Sequence, residues 1–192
     1  TTLVGLCVGS FLNVVIYRLP LMLQREWHAQ CCEYLQIDPK KAVTQAPVPE
    51  HKVFNLMKPD SHCPSCRKPV RPWQNIPVIS YLMLGGKCSQ CKIRIHWRYP
   101  IVELVTAALS ALVAWHFGAT WSCVAALVFT WSLISATVID MDHQLLPDNI
   151  TLPLLWLGLL LSVTPYGTGV SVSDAVIGAC AGYLSLWSVY QV

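Results

Sequence analysis

The sequence has 192 residues, of which 54% are hydrophobic and only 12% charged, with a mean hydropathy of +0.49. That charge content is about half the usual share for a soluble domain. It excludes an ordinary water-soluble enzyme and points to an integral membrane protein. All 13 Lys and Arg lie between Arg18 and Arg98, against five acids there, a net of +8; from Tyr99 onward there are five acids and no base.

In chain order, residues 1–18 open apolar ("TTLVGLCVGSFLNVVIY") and predict a first spanning helix. There is no initiator Met and no cleavable signal pattern, and the chain reads as cut at both ends. Residues 19–98 form a polar domain rich in Pro, Cys and bases. Within it, 24–58 shows no periodic apolar pattern and reads as a variable insertion. Apolar runs at about 100–117, 121–139, 150–163 and 174–192 predict four further helices. "GAT" at 118–120, an acidic stretch at 140–149 and the turn-rich 164–173 connect them. The expected fold is an all-α polytopic membrane protein with an inserted cytoplasmic four-cysteine zinc-binding domain. Its domains are 1–18, 19–98 and an incomplete membrane domain over 99–192. Bases flanking the first two spans put the polar domain in the cytoplasm. Parity brings the acidic stretch back to that same face and sends 118–120 and 164–173 outside.

Four of the nine cysteines form two pairs, Cys63-Pro-Ser-Cys66 and Cys88-Ser-Gln-Cys91. Two such turns suit a closed tetrahedral zinc site with four thiolate ligands, structural because no coordination position is left open. A reducing cytoplasm favours metal over disulfides. The competing reading is a redox dithiol pair. Cys7, Cys123 and Cys180 sit in apolar runs as small core residues.

In "VIDMDHQLLPDN", Asp140, Asp142 and Asp148 crowd the end of a span. A carboxylate at membrane depth is costly and marks a functional candidate. Asp148 has a structural explanation as a helix cap, and Asp142 as a solvated loop residue. Asp140, nearest the apolar run, is the hardest to explain structurally. Paired aspartates that share one proton can activate water for peptide hydrolysis. Asp174 lies on the outer side, so a partner for Asp140 is expected just past Val192, where the fifth helix returns to the cytoplasmic face.

These residues resemble the bacterial type IV prepilin peptidases, the leader peptidase/N-methyltransferases. The resemblance rests on "GSFLNVVIYRLP" (9–20), "CPSC" (63–66), "NIPVISYLMLGGKCSQC" (75–91), "RYPIVE" (98–103) and "IDMDHQLLPD" (139–148). It implies an inner-membrane aspartic endopeptidase that cleaves the basic leader of prepilins and pseudopilins after a glycine. It further implies N-methylation of the new amino terminus with S-adenosyl-L-methionine, in service of a type IV pilus or type II secretion. Asp140, seven residues before Pro147, matches the family's first catalytic aspartate. The second belongs to a Gly-x-Gly-Asp motif that this sequence does not contain.

Two other readings compete. A proton-coupled transporter would place acids at mid-membrane on several helices, whereas here they cluster at one face. A non-catalytic zinc-bearing scaffold of a secretion or pilus machine would tolerate Asp140→Asn. No nucleic-acid partner is expected; the lipid bilayer is. Gly5 and Gly9 read as a helix-packing pair, and Asn13 as either part of that face or the border of a substrate groove. Glu103 is expected to snorkel or pair with Arg98. Trp115 and Trp121 read as interfacial anchors.

Overall fold

The computed structural model describes residues 1–37, 54–63, 65–66, 68–70, 76–164 and 169–191. Among them the regular elements are six helices: α1 (Thr2–Tyr34), α2 (Ile79–Met83), α3 (Arg98–Phe117), α4 (Trp121–His143), α5 (Asp148–Val163) and α6 (Val172–Tyr190). α1, α3, α4 and α6 are long and apolar enough to cross a membrane, while α5 is a shorter apolar helix. Of the supposed insertion at 24–58, residues 38–53 lie outside the described residues, as do Asn75, residues 165–168 of the outer loop and Val192.

The first helix differs most from the sequence expectation. Rather than ending near residue 18, α1 continues through Pro20 to Tyr34. Proline removes one backbone donor, which a membrane helix tolerates when neighbours support the bend. Beyond it, "LMLQREWHAQ" is made of good helix formers. At 1.5 Å per residue, 33 residues extend about 50 Å, well past a hydrocarbon core of about 30 Å. The last three to four turns therefore project beyond the bilayer. The segment read as insertion begins as a helix.

α1 buries Gly5, Gly9, Leu12, Ile16, Leu19 and Leu23. The spacing alternates four and three, the repeat that keeps one stripe against a neighbouring helix at a shallow crossing angle. Leu12, Ile16, Leu19 and Leu23 pack with Val102 of α3 and the fully buried Ile139 of α4. The glycines make the close approach. A Cβ on Gly5 would lie 2.8 Å from the Ala107 Cα, and one on Gly9 would lie 2.7 Å from the Glu103 Cα. Facing them are small residues, Thr106, Ala107 and Ser110. Thr106 and Ser110 turn their hydroxyls back to the carbonyls of Val102 and Thr106 at 2.7 and 2.6 Å. Ser110 also accepts from the Trp131 indole at 2.9 Å, which ties α4 to the pair. Gly9→Leu is expected to cost about 1–3 kcal/mol by overpacking, read as earlier thermal unfolding in detergent. Unchanged unfolding would contradict this crossing.

α5 packs against α6 and more lightly against α4, and among the described residues neither α5 nor α6 has a buried one. Thr120 caps α4 by accepting from the Cys123 N–H at 3.2 Å, which explains the tight 118–120 connection. Asp174 is placed by a cap at the start of α6. The Ser171 hydroxyl donates to its carboxylate at 2.8 Å and accepts from its N–H at 3.1 Å, a reciprocal arrangement that needs no function.

Candidate active site and metal centre

The cysteine lobe is a twofold repeat. In the first turn the Cys63 N–H reaches the Lys68 carbonyl at 3.0 Å and the Val70 N–H reaches Ser61 at 2.8 Å. In the second, Cys88 reaches Ile93 at 2.9 Å and Ile95 reaches Gly86 at 2.7 Å, the same pattern displaced by 25 residues. Each hairpin aims two sulfurs inward, and the Lys68 ammonium bridges to the Gln90 side chain at 3.2 Å. The four ligand atoms of Cys63, Cys66, Cys88 and Cys91 lie within 4.8 Å of one another. Cys63 and Cys91 are 3.7 Å apart, sulfur to sulfur. A tetrahedral site with Zn–S bonds near 2.3 Å needs sulfurs about 3.8 Å apart. The cluster therefore fits zinc, which these four residues would hold as a closed structural site.

Backbone donors prepare two of the sulfurs. The N–H groups of Cys66 and Ser65 hold the Cys63 thiol below its ordinary range. Those of Cys91 and Gln90 pull Cys88 down to about 6. Cys91 receives one such bond, from Ile93, yet desolvation and the neighbouring sulfurs push it up to about 11. Ligating thiols must lose their protons, so metal affinity rises with pH. Across neutral pH the Cys91 proton has to be displaced, and below about 6 the Cys88 proton as well. Zinc affinity measured by chelator competition is expected to climb with pH and to fall sharply below 6. A flat profile would contradict ligation by these thiols.

Two polar contacts fasten this lobe to the membrane helices. Arg18 is buried on α1. Its guanidinium donates to the carbonyls of Asn55 at 3.0 Å, Leu56 at 3.4 Å and Pro59 at 2.6 Å, and lies 5.9 Å from the centre of the Phe54 ring. Glu103, also buried, accepts from the Val78 N–H at 2.7 Å. Val78 sits at φ 58, ψ −47, a conformation strained for a β-branched residue. The bond to Glu103 offsets that strain. The expected Glu103–Arg98 pair does not form. Arg98 turns instead to Asp142, at 2.5 Å, and to the Val138 carbonyl. Asn13 donates to the Tyr99 carbonyl at 3.1 Å, so its amide joins α1 to the start of α3.

The acidic stretch also departs from expectation. α4 runs on to His143, so Asp140 and Asp142 occupy its last turn rather than a loop. Gln144 stops the helix in the left-handed region, its N–H returning to the Asp140 carbonyl at 2.9 Å. Carboxylates at a helix C-terminus oppose the helix dipole, so their placement is not explained by helix stability. Arg98 neutralises Asp142. Asp140 is exposed, and among the described residues its carboxylate has no ion pair. Asp148 is not the cap of α5. Pro147 holds that position, with Asp148 in the first turn, where the dipole favours it.

Residues 3–117 match the Bacterial Peptidase A24 N-terminal domain, and residues 127–192 match the Type IV leader peptidase family. The chain belongs to the bacterial type IV prepilin peptidase family. It is 54% identical over 190 residues to the prepilin leader peptidase/N-methyltransferase of Pseudomonas aeruginosa, covering 99% of this chain and 62% of that protein. The proteins of that name from Stutzerimonas stutzeri and Neisseria gonorrhoeae are 52% and 51% identical. They cover 97% and 98% of this chain, which spans 61% and 63% of theirs. No solved structure matches. In this peptidase-family chain the four-cysteine lobe lies within the N-terminal domain match, and Asp140 within the peptidase match. The sequence carried no signal for the two fastenings made by Arg18 and Glu103. Both acceptor and donor there are backbone groups, which any residue supplies.

Proposed function

We propose that the full-length protein is an inner-membrane aspartic endopeptidase that removes the leader of type IV prepilins or pseudopilins after a glycine, and then methylates the new amino terminus. The observation that carries this reading is the contrast between Asp142, paired with Arg98, and Asp140, exposed on the same helical turn and with no ion pair among the described residues. Asp140 acts as the base. It takes a proton from water as the oxygen attacks the peptide carbonyl. A second aspartate, supplied by chain beyond Val192, stays protonated because two facing carboxylates share one proton. It donates that proton as the amine leaves. Both lie at the cytoplasmic face beside the cysteine lobe.

S-adenosyl-L-methionine supplies the methyl group for the freed amine. Zinc in the four-cysteine cluster keeps the lobe folded, and Arg18 and Glu103 hold that lobe over the helix ends. The relatives' names support both activities.

The test is to incubate the full-length protein in lipid vesicles with a prepilin and S-adenosylmethionine, and to read the substrate by mass spectrometry. The expected product has lost its leader and gained one methyl group at the new terminus. A substrate of unchanged mass would favour the non-catalytic scaffold.

A further inference from the structure

The cysteine lobe carries an apolar face of its own. Ile79, Leu82 and Met83 stand at the i, i+3 and i+4 positions of α2 and share one side of it. They are 53%, 71% and 82% exposed. Tyr81 takes the opposite side, where its hydroxyl reaches the Ile95 carbonyl at 3.5 Å and lies against Gly86. The three apolar side chains therefore point away from the second cysteine hairpin. Large apolar surface of this kind marks a contact with a partner or a membrane.

Two further observations say which. The first is depth. α3 has 20 residues and is about 30 Å long, no longer than the hydrocarbon core it crosses. Glu103 lies about 7.5 Å along it from Arg98, and its side chain points back toward the helix start. There it accepts the Val78 N–H at 2.7 Å. The residue just before α2 is thus held at the first turn of a membrane helix, at headgroup level. The second is charge. Lys87 and Arg94 oppose each other across an isolated bridge, both exposed, with no ion pair among the described residues. Like charges set opposite are unfavourable, and an anionic surface relieves them. We infer that the Ile79, Leu82 and Met83 face of α2 is seated in the bilayer interface, with Lys87 and Arg94 on anionic headgroups. The lobe is then held at the membrane by lipid as well as by Arg18 and Glu103, whatever the chain catalyses.

The test is lipid photolabelling of the full-length protein. A diazirine-bearing leucine analogue replaces Leu82, or in a reference protein Leu104, which is exposed on the spanning part of α3. Each is reconstituted in vesicles of equal phosphatidylglycerol and phosphatidylcholine, irradiated and read by mass spectrometry. Both side chains are exposed, so neither replacement disturbs packing. Lipid adducts are expected at 82 in a yield comparable to that at 104. At 82, phosphatidylglycerol adducts are expected to exceed phosphatidylcholine adducts about fivefold, the weight of one base at an anionic surface. Lys87→Gln with Arg94→Gln is expected to level the two. Water adducts alone at 82, with 104 labelled by lipid, would overturn the seating. So would cross-links from 82 to another protein segment, which would then be the cover of this face. Equal labelling by the two lipids before any substitution would remove Lys87 and Arg94 from the contact.

Discussion

Asp140→Asn in the full-length protein is expected to lower prepilin cleavage by about 10²–10⁴-fold, the usual contribution of a positioned acid or base. An amide cannot take the proton from the attacking water. The side chain is exposed and carries no ion pair among the described residues, so the substitution leaves packing intact and the protein inserts normally. Methyl transfer to a pilin supplied already cleaved is expected to persist. Asp142→Asn breaks a pair that is about one-third exposed on both sides, a contact worth no more than about 1 kcal/mol. Its effect on cleavage is therefore expected to be severalfold at most. Cleavage by the Asp140 variant at the unmodified rate would remove Asp140 from the chemistry.

Replacing Cys63 and Cys66 by serine is expected to take bound zinc from one ion per chain to none, and to unfold the cysteine lobe. Structural zinc in small domains is worth about 10–16 kcal/mol of apparent binding energy, most of which is folding energy. Among its described residues the lobe has little else. Cys63 is its one buried hydrophobic residue, and the rest is turns, two isolated bridges and the five-residue α2. The helices pack through a separate core of Leu12, Ile16, Leu19, Leu23, Val102 and Ile139. Limited proteolysis is therefore expected to cut the lobe first and leave the membrane helices whole. Metal content unchanged by the double substitution would count against the site.

Much of this was legible in the sequence where one residue type answers one physical demand. Runs of apolar residues marked the membrane helices, and paired C-x-x-C turns marked the metal cluster. Gly5 and Gly9 read correctly as packing residues because a 2.7–2.8 Å approach leaves no room for a side chain. The misreadings came from residues with more than one use. The first helix was read as ending at residue 18, where the apolar run stops, but charge ends a membrane segment without ending a helix. Asp148 looked like a cap because Asp often is one, yet Pro147 takes that place. Glu103 and Arg98 are five residues apart on one helix, and each found its partner on another segment: the Val78 N–H for one and Asp142 for the other. Such long-range pairings have no local signature.

The most direct test of peptide hydrolysis at Asp140 is to place a photoreactive residue next to the scissile glycine of a prepilin, bind it to the full-length Asp140→Asn protein, irradiate, and map the cross-link by mass spectrometry. Attachment within 138–149, around the last turn of α4 and its connection to α5, is the result expected. Attachment confined to the cysteine lobe, with that segment unlabelled, would contradict it.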